Sequence, residues 1–411
     1  MKIAFFTDAY LDLTGGIVNS VAAQKRCLEK MGHTVYLFST GFHRTKEERQ
    51  KLAKQNIYVV PSCFLCFRGL TPISRRPKII ERWLKKNFPE LRNFDIFHAH
   101  YESGCSIAGL RLGRELGIPT VQTMHGREDV GVTSIVPFGL RTFAAVGINW
   151  FHSWYLPHDI KIKRDHNLAT DYARANMWTM MVNHANYADA VLTPSKHFKD
   201  KLVEYGVSRK ITVIPNGFLD ELMTKKCTPR VLKASETMKI IWHSRVSAEK
   251  RIMPFLKALT MVHGDYELHV YGGGGDYRRA VKYARKHNLN AIFYNTTPFI
   301  EIYENLKEAH LDVLVSYNFD TFGMTLIEAE SVGVPTLICD PDMKEILPAG
   351  SYVLSKNETS EKMAEALQDI LDNPEKIQKM SEVLIEHRAE VAQSKQTEKL
   401  LKIYDELRSK K

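Results

Sequence analysis

The segment from Leu311 to Pro335 constrains the fold most strongly, because it predicts a strand, a loop, a helix and a second strand in immediate succession. Its apolar run Val313–Val315 is typical of a parallel strand buried on both faces. A polar loop containing Gly323 follows, and then a helix. In such a unit the loop lies at the carboxyl edge of the sheet, where backbone N–H groups and the positive helix end favour an anionic ligand. Glu328, one turn inside the helix, would reach past a bound phosphate to the hydroxyls of a sugar. An ordinary βαβ unit with a solvated glutamate is the alternative that this segment leaves open.

The same alternation of short apolar runs and helical patterns covers the chain and predicts a doubly wound α/β architecture. The predicted strands are 2–7, 32–38, 56–60, 94–98, 120–124, 188–193 and 210–214, followed by 239–243, 267–271, 291–294, 312–316 and 335–339. At 411 residues the chain is long enough for two hydrophobic cores. The turn signal Pro215–Gly217 ends the first half. We therefore predict one Rossmann-like domain at 1–215, a second at 216–390, and a C-terminal helix at 391–411.

Positive charge is concentrated in the first half. Residues 1–215 carry 30 Lys and Arg against 18 Asp and Glu, whereas the remainder carries 27 against 29. The first half is therefore expected to face nucleic acid, a polyanionic polymer or an anionic membrane surface.

The composition indicates a cytosolic protein. No run approaches the ~18–20 apolar residues of a membrane-spanning helix, and Met1–Asp8 is typical of a first strand rather than a signal peptide. Six scattered cysteines favour reduced thiols over a disulfide framework. Cys63 and Cys66 form one CxxC, but no second pair or paired histidines stand at zinc spacing, which favours two ordinary thiols.

Three further motifs follow predicted strands. Thr14–Gly16 opens a helix after the first strand, and glycines there let a phosphate approach the backbone. Arg245 and Lys250 follow the first strand of the second half, where they would neutralise a leaving diphosphate without a metal ion. His125 follows the strand at 120–124, at the carboxyl edge, although a lone histidine is more often structural.

Gly272–Gly275 is the nearest feature to a dinucleotide fingerprint and raises the alternative of a Rossmann dehydrogenase. The spacing is not G-x-G-x-x-G, because Asp276 and Tyr277 stand where the third glycine belongs. We expect this loop, with Gly273 in it, to approach a ligand closely instead.

Together these motifs resemble those of the GT-B retaining glycosyltransferases of family 4. The nucleotide-sugar signature of that family has an acidic residue, Phe-Gly, and a glutamate within the following helix, and here these are Asp320, Phe322-Gly323 and Glu328. The family's Gly-Arg with a lysine five residues later is matched by Ser244-Arg245 and Lys250. The family also carries a histidine in a Thr-x-His context, which is matched by Thr123, Met124 and His125.

The resemblance implies a role for each matched residue. Asp320 would lie near the donor sugar, Glu328 would bind the ribose, and His125 would position the sugar near the reacting carbon. The leaving phosphate helps to deprotonate the acceptor, so no conventional nucleophile, metal or other cofactor is expected. The implied catalytic residues are His125, Asp320, Arg245 and Lys250, and the implied donor-binding residues are Gly15, Gly16, Arg245, Lys250, Gly273, Phe322, Gly323, Met324, Thr325 and Glu328. Two positions depart from the family: Asp320 replaces the usual glutamate, which shortens the carboxylate, and Ser244 replaces a glycine, which should crowd the loop.

The resemblance is weakest over 40–90 and 130–180, so acceptor specificity is expected there. Residues 75–86 hold six cations and one acid, on a predicted helix whose apolar face carries Ile80, Trp83, Leu84 and Phe88. That is the make-up of an interfacial helix on anionic lipid, at ~1 kcal/mol per nearby cation. The alternative is a helix packed on its own sheet by the same stripe. The predicted membrane or acceptor contacts are Arg75, Arg76, Lys78, Arg82, Trp83, Lys85 and Lys86. The segment Trp150–His166 is predicted to be an acceptor-site loop.

The overall pattern is most similar to that of bacterial diacylglycerol α-glucosyltransferases. This similarity implies two Rossmann-like domains facing across a cleft, with a C-terminal helix that crosses back to the first. It further implies transfer of a hexose from a nucleotide sugar, with UDP-glucose expected, to a membrane lipid such as diacylglycerol or its monoglycosyl form. The enzyme would be cytoplasmic and peripheral on the inner face of the cell membrane.

Three rival functions stay open from sequence. One is a glycosyltransferase that builds a cell-surface polysaccharide or teichoic acid. A second is an NAD-dependent oxidoreductase or epimerase, which would require dinucleotide binding at Gly272–Gly275. The third is a nucleic-acid-binding protein, but no recognised binding module supports a nucleic-acid partner.

Overall fold

The computed structural model describes residues 1–8, 10–11, 15–42, 44–63, 74–223, 226–233 and 236–410. They form two compact units: unit 1 is Met1–Pro215 with Gln396–Lys411, and unit 2 is Asn216–Lys395. The boundaries that the sequence suggested are 215 and 390. Cys66 and Thr14, which belong to two of the motifs above, lie outside the described residues.

Unit 1 alternates strands with helices. Its strands are β1 (Lys2–Thr7), β2 (Thr34–Ser39), β3 (Ile57–Val59), β4 (Ile96–His100), β5 (Thr120–Thr123), β6 (Ala190–Thr193) and β7 (Ile211–Val213). Its helices are α1 (Gly16–Lys30), α2 (Lys46–Ala53), α3 (Pro77–Asn87), α4 (Gly104–Leu116), α5 (Glu128–Ile135), α6 (Arg141–Ser153), α7 (Tyr172–Tyr187) and α8 (Lys196–Glu204). A short 3₁₀ turn, Phe138–Leu140, precedes α6.

The strands of unit 1 form a parallel sheet, in the order β3-β2-β1-β4-β5-β6-β7 among the described residues. Successive residues of β1 point to opposite faces, so that Ile3 and Phe5 join one buried cluster while Ala4 and Phe6 join another. Both faces are therefore covered, as parallel sheets require.

Unit 2 repeats the plan. Its strands are β8 (Met238–Trp242), β9 (Tyr266–Tyr271), β10 (Ala291–Asn295), β11 (Leu311–Leu314), β12 (Thr336–Ile338) and β13 (Tyr352–Leu354). Its helices are α9 (Ile252–Leu259), α10 (Tyr277–Lys286), α11 (Phe299–Leu306), α12 (Met324–Ser331), α13 (Ser360–Asp372) and α14 (Glu375–His387). The described part of the sheet is parallel, in the order β10-β9-β8-β11-β12-β13.

The last helix, α15 (Gln393–Arg408), starts at the end of unit 2, and from Gln396 onwards it belongs to unit 1. There Leu400 and Tyr404 are buried in the cluster that contains Ile3 and Phe5. The apolar spacing of this segment thus completes one face of the first sheet.

The prediction of two doubly wound α/β domains is confirmed, and each predicted strand overlaps an observed one. The strand β13 is missing from the prediction. It is a three-residue strand at the sheet edge, Tyr352–Leu354, whose side chains are half-buried or exposed, and so short an apolar run does not by itself indicate a strand.

The helix that was predicted to lie on lipid is α3, and its apolar side packs into unit 1. Ile80 and Leu84 are fully buried, and Trp83 packs against the buried Phe88 with ring centroids 5.6 Å apart. The assignment of this stripe to a membrane is therefore wrong, because the protein core already occupies it. The predicted cations do stay at the surface, namely Arg75, Arg76, Lys78, Arg82, Lys85 and Lys86.

Across the described ranges, we find no helix with both the length and the apolar content needed to cross a membrane.

Candidate active site

The order of the strands identifies the edge where a ligand is expected. In doubly wound sheets, ligands bind beyond the carboxyl ends of the strands, at the point where strand order reverses. This point lies between β8 and β11 in unit 2, and between β1 and β4 in unit 1. The loops that follow these four strands contain most of the residues singled out from sequence.

In unit 2, Gly323 starts helix α12. Its φ is +71°, a left-handed conformation, and a Cβ added there would lie 2.7 Å from Leu314 Cδ2. A larger residue would have to adopt the left-handed backbone conformation and move the Leu314 side chain, so glycine fits this turn best. The helix has no side-chain cap and no acid in its first turn, so its positive end is not offset by a carboxylate of its own.

The side chains that flank this turn, Phe322, Met324 and Thr325, are enclosed to different degrees. The hydroxyl of Thr325 is buried with no hydrogen-bond partner among the described residues, Met324 is half-buried, and Phe322 is buried in the core. The preceding loop is anchored by Asp340, whose carboxylate accepts from the Asn318 N–H at 2.6 Å.

Lys250 and Asp320, both predicted as catalytic, form an ion pair beside this loop. The ammonium lies 2.7 and 2.8 Å from the two carboxylate oxygens, and the Ser316 hydroxyl donates to the same carboxylate. Lys250 comes from the 3₁₀ turn after β8, so the pair joins the two loops of the switch point. A diphosphate at this position would compete with Asp320 for the lysine.

Behind this pair, a buried triad reaches under α12. His243 Nε2 lies 3.1 Å from Asp312 Oδ1, and His243 Nδ1 lies 3.7 Å from Glu328 Oε2. Burial alone would lower the pKa of His243, but the carboxylates of Asp312 and Glu328 outweigh it, and the pKa is raised. Burial also raises the pKa of Glu328, although the neighbouring imidazolium opposes this. The triad holds Glu328 in place one turn inside the helix.

Arg245 lies on the same loop as His243 but is largely exposed. Its guanidinium forms an ion pair with Glu249 at 3.2 Å. The hydroxyl oxygen of Ser244, where the family usually has glycine, is buried without a partner among the described residues. The structure therefore places Lys250, Asp320 and Glu328 close to one turn, and Arg245 at its surface.

Close contacts between backbone segments explain the glycines of the loop 272–275. A Cβ on Gly272 would lie 2.2 Å from the Ser244 carbonyl oxygen, and one on Gly274 would lie 2.3 Å from the Val246 carbonyl oxygen. A Cβ on Gly273 would lie 2.8 Å from Asn295 Oδ1. These glycines let two backbone segments touch, which also explains a glycine run that lacks the dinucleotide spacing.

In unit 1, Gly15 and Gly16 open α1 as the sequence predicts. Gly15 precedes the helix at φ +145°, and α1 has no side-chain cap and no acid in its first turn. The start of α1 thus shares its uncapped, glycine-led form with that of α12.

His125 follows β5 and is part of a buried histidine network. Its Nε2 lies 3.1 Å from His100 Nδ1, and the neighbouring His98 hydrogen-bonds Thr123 at 2.7 Å and the Tyr404 hydroxyl at 2.6 Å. Burial lowers the pKa of His125 to about 4. At neutral pH the ring is therefore uncharged, which suits hydrogen bonding to a ligand rather than charge neutralisation.

Buried carboxyl groups surround this edge of the first sheet. Burial raises the pKa of Asp8 to about 6 and that of Glu128 to about 7, and it raises the pKa of Glu102 well above its usual value. Tyr101, in a left-handed conformation at φ +93°, donates to Glu128 at 3.0 Å. Both carboxylate oxygens of Glu102 are buried with no partner in the described structure. Such groups can accept or donate hydrogen bonds to the hydroxyls of a ligand.

The predicted acceptor loop Trp150–His166 covers the end of α6 and an extended segment. Trp150 and Trp154 are exposed with their rings 4.2 Å apart, while His152 is buried and its pKa is lowered by burial. His158 is tied back to Asn149 on α6 by a 2.6 Å hydrogen bond.

Sequence reasoning missed several polar residues at the two edges: Asp8, His98, His100, Glu102, Glu128, His243 and Asp312. A signal was present for most of them. They lie within or directly after apolar strands, where charged and imidazole side chains are uncommon unless they have a function. Within the described residues, no three His, Cys, Asp or Glu side chains are arranged as metal ligands.

Comparison with known proteins gives the family. Residues 14–221 match the family described as Glycosyltransferase Family 4, and residues 226–386 match Glycosyl transferases group 1. The alpha-monoglucosyldiacylglycerol synthase of Streptococcus pneumoniae is 24% identical over 356 residues, which are 82% of this chain and 70% of that protein. The synthase of the same name from Acholeplasma laidlawii is 22% identical over 397 residues, 91% of this chain and 89% of that protein. The crystal structure of Anabaena Alr3699/HepE in complex with UDP and glucose has a TM-score of 0.69 at 13% identity and covers 99% of this chain and 100% of its own, which shows the GT-B fold. The chain therefore belongs to the family 4 glycosyltransferases of the GT-B fold.

Proposed function

We propose that this glycosyltransferase moves glucose from UDP-glucose to a membrane lipid acceptor, diacylglycerol or its monoglycosyl form, with retention of the α configuration. The observation that carries the donor half of the proposal is the uncapped start of α12, with the Lys250–Asp320 pair beside it and Glu328 held by His243 one turn inside. The names of the two relatives that align over most of the chain support the acceptor.

In the proposed reaction the diphosphate lies against the start of α12 and takes Lys250 from Asp320 as its counter-ion. Glu328 accepts hydrogen bonds from the ribose hydroxyls, and Arg245 swings from Glu249 to the phosphates. These contacts stabilise the charge that develops on the leaving group. No metal ion is needed for this purpose.

The bond between the anomeric carbon and the phosphate oxygen breaks, and a bond from the acceptor oxygen forms on the same face. The proton of the acceptor hydroxyl passes to the leaving phosphate oxygen, which balances the step without a protein nucleophile. The neutral imidazole of His125 orients the sugar hydroxyls, and Asp320, once released from Lys250, contacts the sugar. The peripheral, inner-face location follows from an acceptor that stays in the bilayer while the donor is cytoplasmic.

Turnover of a panel of UDP- and GDP-sugars tests the proposal, with and without vesicles that contain diacylglycerol or its monoglycosyl form. We expect one donor to react, lipid to accelerate it, and an excess of EDTA to leave the rate unchanged. The anomeric proton coupling of the product reports retention. Glu328→Ala and Lys250→Ala should each abolish most turnover, whereas Lys257→Ala, which removes an exposed lysine of the same unit, should not.

Two results would contradict the proposal in different ways. A turnover rate that is the same with and without lipid vesicles would refute the membrane acceptor. It would favour a transferase that acts on a polysaccharide or teichoic acid. Failure to bind or turn over any nucleotide sugar would refute the donor half.

A further inference from the structure

A row of large apolar side chains is exposed along α6 and the turn before it. Phe138 is 85% exposed, Phe143 78%, Leu140 and Trp150 58%, Trp154 51% and Val146 45%. From Phe143 to Trp154 the spacing follows the three- and four-residue steps of one helical face. We call these six residues the α6 face.

The opposite side of the same helix is already satisfied. Ala145 and His152 are buried, Ile148 packs against a core cluster of unit 1, and Asn149 donates to Asn176 on α7 at 2.9 Å. Helix α6 therefore has one face docked on the protein and a second apolar face turned to solvent. Single exposed apolar residues are normal, but six together on one face usually mark an interaction surface.

The charges around the α6 face are mostly positive. From Val130 to His158 the sequence contains no Asp or Glu, and Arg141 lies over the Phe138 ring at 5.4 Å. The next segment, held to α6 through His158 and Asn149, exposes three cations, Lys161, Lys163 and Arg164, and one acid, Asp159. An apolar, aromatic face rimmed by cations is complementary to an anionic bilayer surface.

We propose that the α6 face docks unit 1 on an anionic lipid bilayer, with its aromatic side chains at the boundary between headgroups and acyl chains. The lipid identity of the acceptor rests on the function proposed above, whereas the docking surface rests on exposure and charge. In this proposal the α6 face, rather than α3, makes the apolar contact with the bilayer. The exposed cations of α3 contribute only a longer-range attraction to the anionic lipid surface. Twelve residues, most of them in α5, separate His125 from Phe138 along the chain.

A second copy of the chain is a poorer occupant. A two-fold symmetric contact sets each patch against itself, so a rim with four cations (Arg141, Lys161, Lys163 and Arg164) and one acid (Asp159) would meet its own copy. A bilayer of anionic lipid offers the opposite charge to the same rim.

Vesicle co-sedimentation of the full chain tests the surface. The probe vesicles are phosphatidylcholine with and without phosphatidylglycerol, and the variant is Phe138→Ser/Phe143→Ser/Val146→Ser. All three residues are exposed, so the fold should survive, and an unchanged melting temperature checks this. The matched control is Ile300→Ser, which removes a 54%-exposed apolar residue of unit 2.

We expect the wild type to bind the anionic vesicles, the triple variant to bind at least about tenfold more weakly, and the control to match the wild type. Brominated lipids should quench the tryptophan fluorescence of the wild type, because Trp150 and Trp154 enter the interface. Vesicle binding by the triple variant within twofold of wild type would overturn the proposal, as would a wild type that binds no vesicles. A wild-type dimer that the triple variant makes monomeric would assign the face to a second copy instead. UDP-sugar hydrolysis without lipid distinguishes the two proposals. The triple variant should hydrolyse the donor at the wild-type rate, because the α6 face is not part of the donor site. A wild type that binds vesicles but turns over no donor would refute the proposed function and leave the docking surface standing.

Discussion

The buried triad under α12 yields the sharpest prediction, because all three of its groups are titratable and enclosed. Replacement of His243 by glutamine removes the one cation between two buried carboxylates and keeps a hydrogen-bond donor of similar length. We expect this change to destabilise unit 2 rather than merely alter a binding contact.

The distances set the magnitude. At an effective dielectric constant of ~20, unit charges attract by about 5 kcal/mol at the 3.1 Å separation from Asp312 and by about 4.5 kcal/mol at the 3.7 Å separation from Glu328. Desolvation offsets much of this, and removal of one partner of a buried pair costs about 3–5 kcal/mol. The glutamine amide recovers about 1 kcal/mol through a hydrogen bond. His243→Gln should therefore lower the free energy of unfolding by about 2–4 kcal/mol.

The pH dependence has a definite sign. The pKa of His243 is raised in the folded protein, since the two carboxylates outweigh the effect of burial. A raised histidine pKa contributes stability that is fully present below the unfolded value of ~6.5 and is lost as pH rises through the folded value. Above that point both proteins hold a neutral side chain beside the same carboxylates. The difference between wild type and variant should thus be larger at pH 6 than at pH 9.

Urea unfolding followed by circular dichroism at pH 6 and pH 9 measures this difference, and hydrogen exchange of peptides from β8 and β11 localises it to unit 2. His263→Gln is the matched control, because His263 is exposed in the same unit. A loss below about 0.5 kcal/mol at pH 6, the range of an ordinary surface substitution, would refute the reasoning. So would an equal loss at both pH values, since the charge would then contribute nothing.

Three further predictions concern stability elsewhere in the fold. Gly323→Ala should cost about 1–3 kcal/mol because of its left-handed backbone and close neighbour, whereas Gly350→Ala, at φ +85° with no atom within 4 Å, should cost less in the same urea titration. Glu102→Gln should raise the unfolding midpoint at pH 8 but not at pH 4, because a carboxyl whose folded pKa is raised loses stability as pH rises above its unfolded value. Tyr404→Phe should cost about 1–3 kcal/mol by leaving His98 Nδ1 buried without its 2.6 Å partner, and differential scanning calorimetry would show no shift if that bond is immaterial.

The sheet architecture was predictable because its signal is local. Runs such as Ile3–Phe6 and Val313–Val315 are apolar without alternation, and only a strand buried on both faces needs that pattern. Glycine just before a helix, as at Gly15 and Gly323, marks where the chain must turn. The edge strand β13 was missed because its apolar run, Tyr352–Leu354, is short and lies at the half-exposed edge of the sheet.

The site was predictable only where a motif carried it. Asp320, Glu328 and Lys250 are spaced along loops that a family resemblance can align, and the fold brings them to one edge of one sheet. The partners of these residues are set by tertiary contacts instead. His243 and Asp312 are 69 positions apart, and nothing in either local sequence says that parallel neighbours β8 and β11 will bring them to 3.1 Å.

The contrast between α3 and α6 shows why a pattern alone misassigned the membrane contact. Both helices carry an apolar stripe, and α3 adds the cations that make an interfacial helix convincing. An apolar stripe predicts only that one face of the helix is buried. It does not indicate whether that face packs on the protein core or on lipid. The stripe of α3 is met by the strands and helices beside it, so its aromatic Trp83 packs on Phe88. Helix α6 differs because Ala145, Ile148 and His152 already satisfy the protein side, and the remaining aromatic residues are left over. An apolar face in excess of what the core can absorb is a property of the packed molecule, and it becomes visible only when every neighbour has been placed.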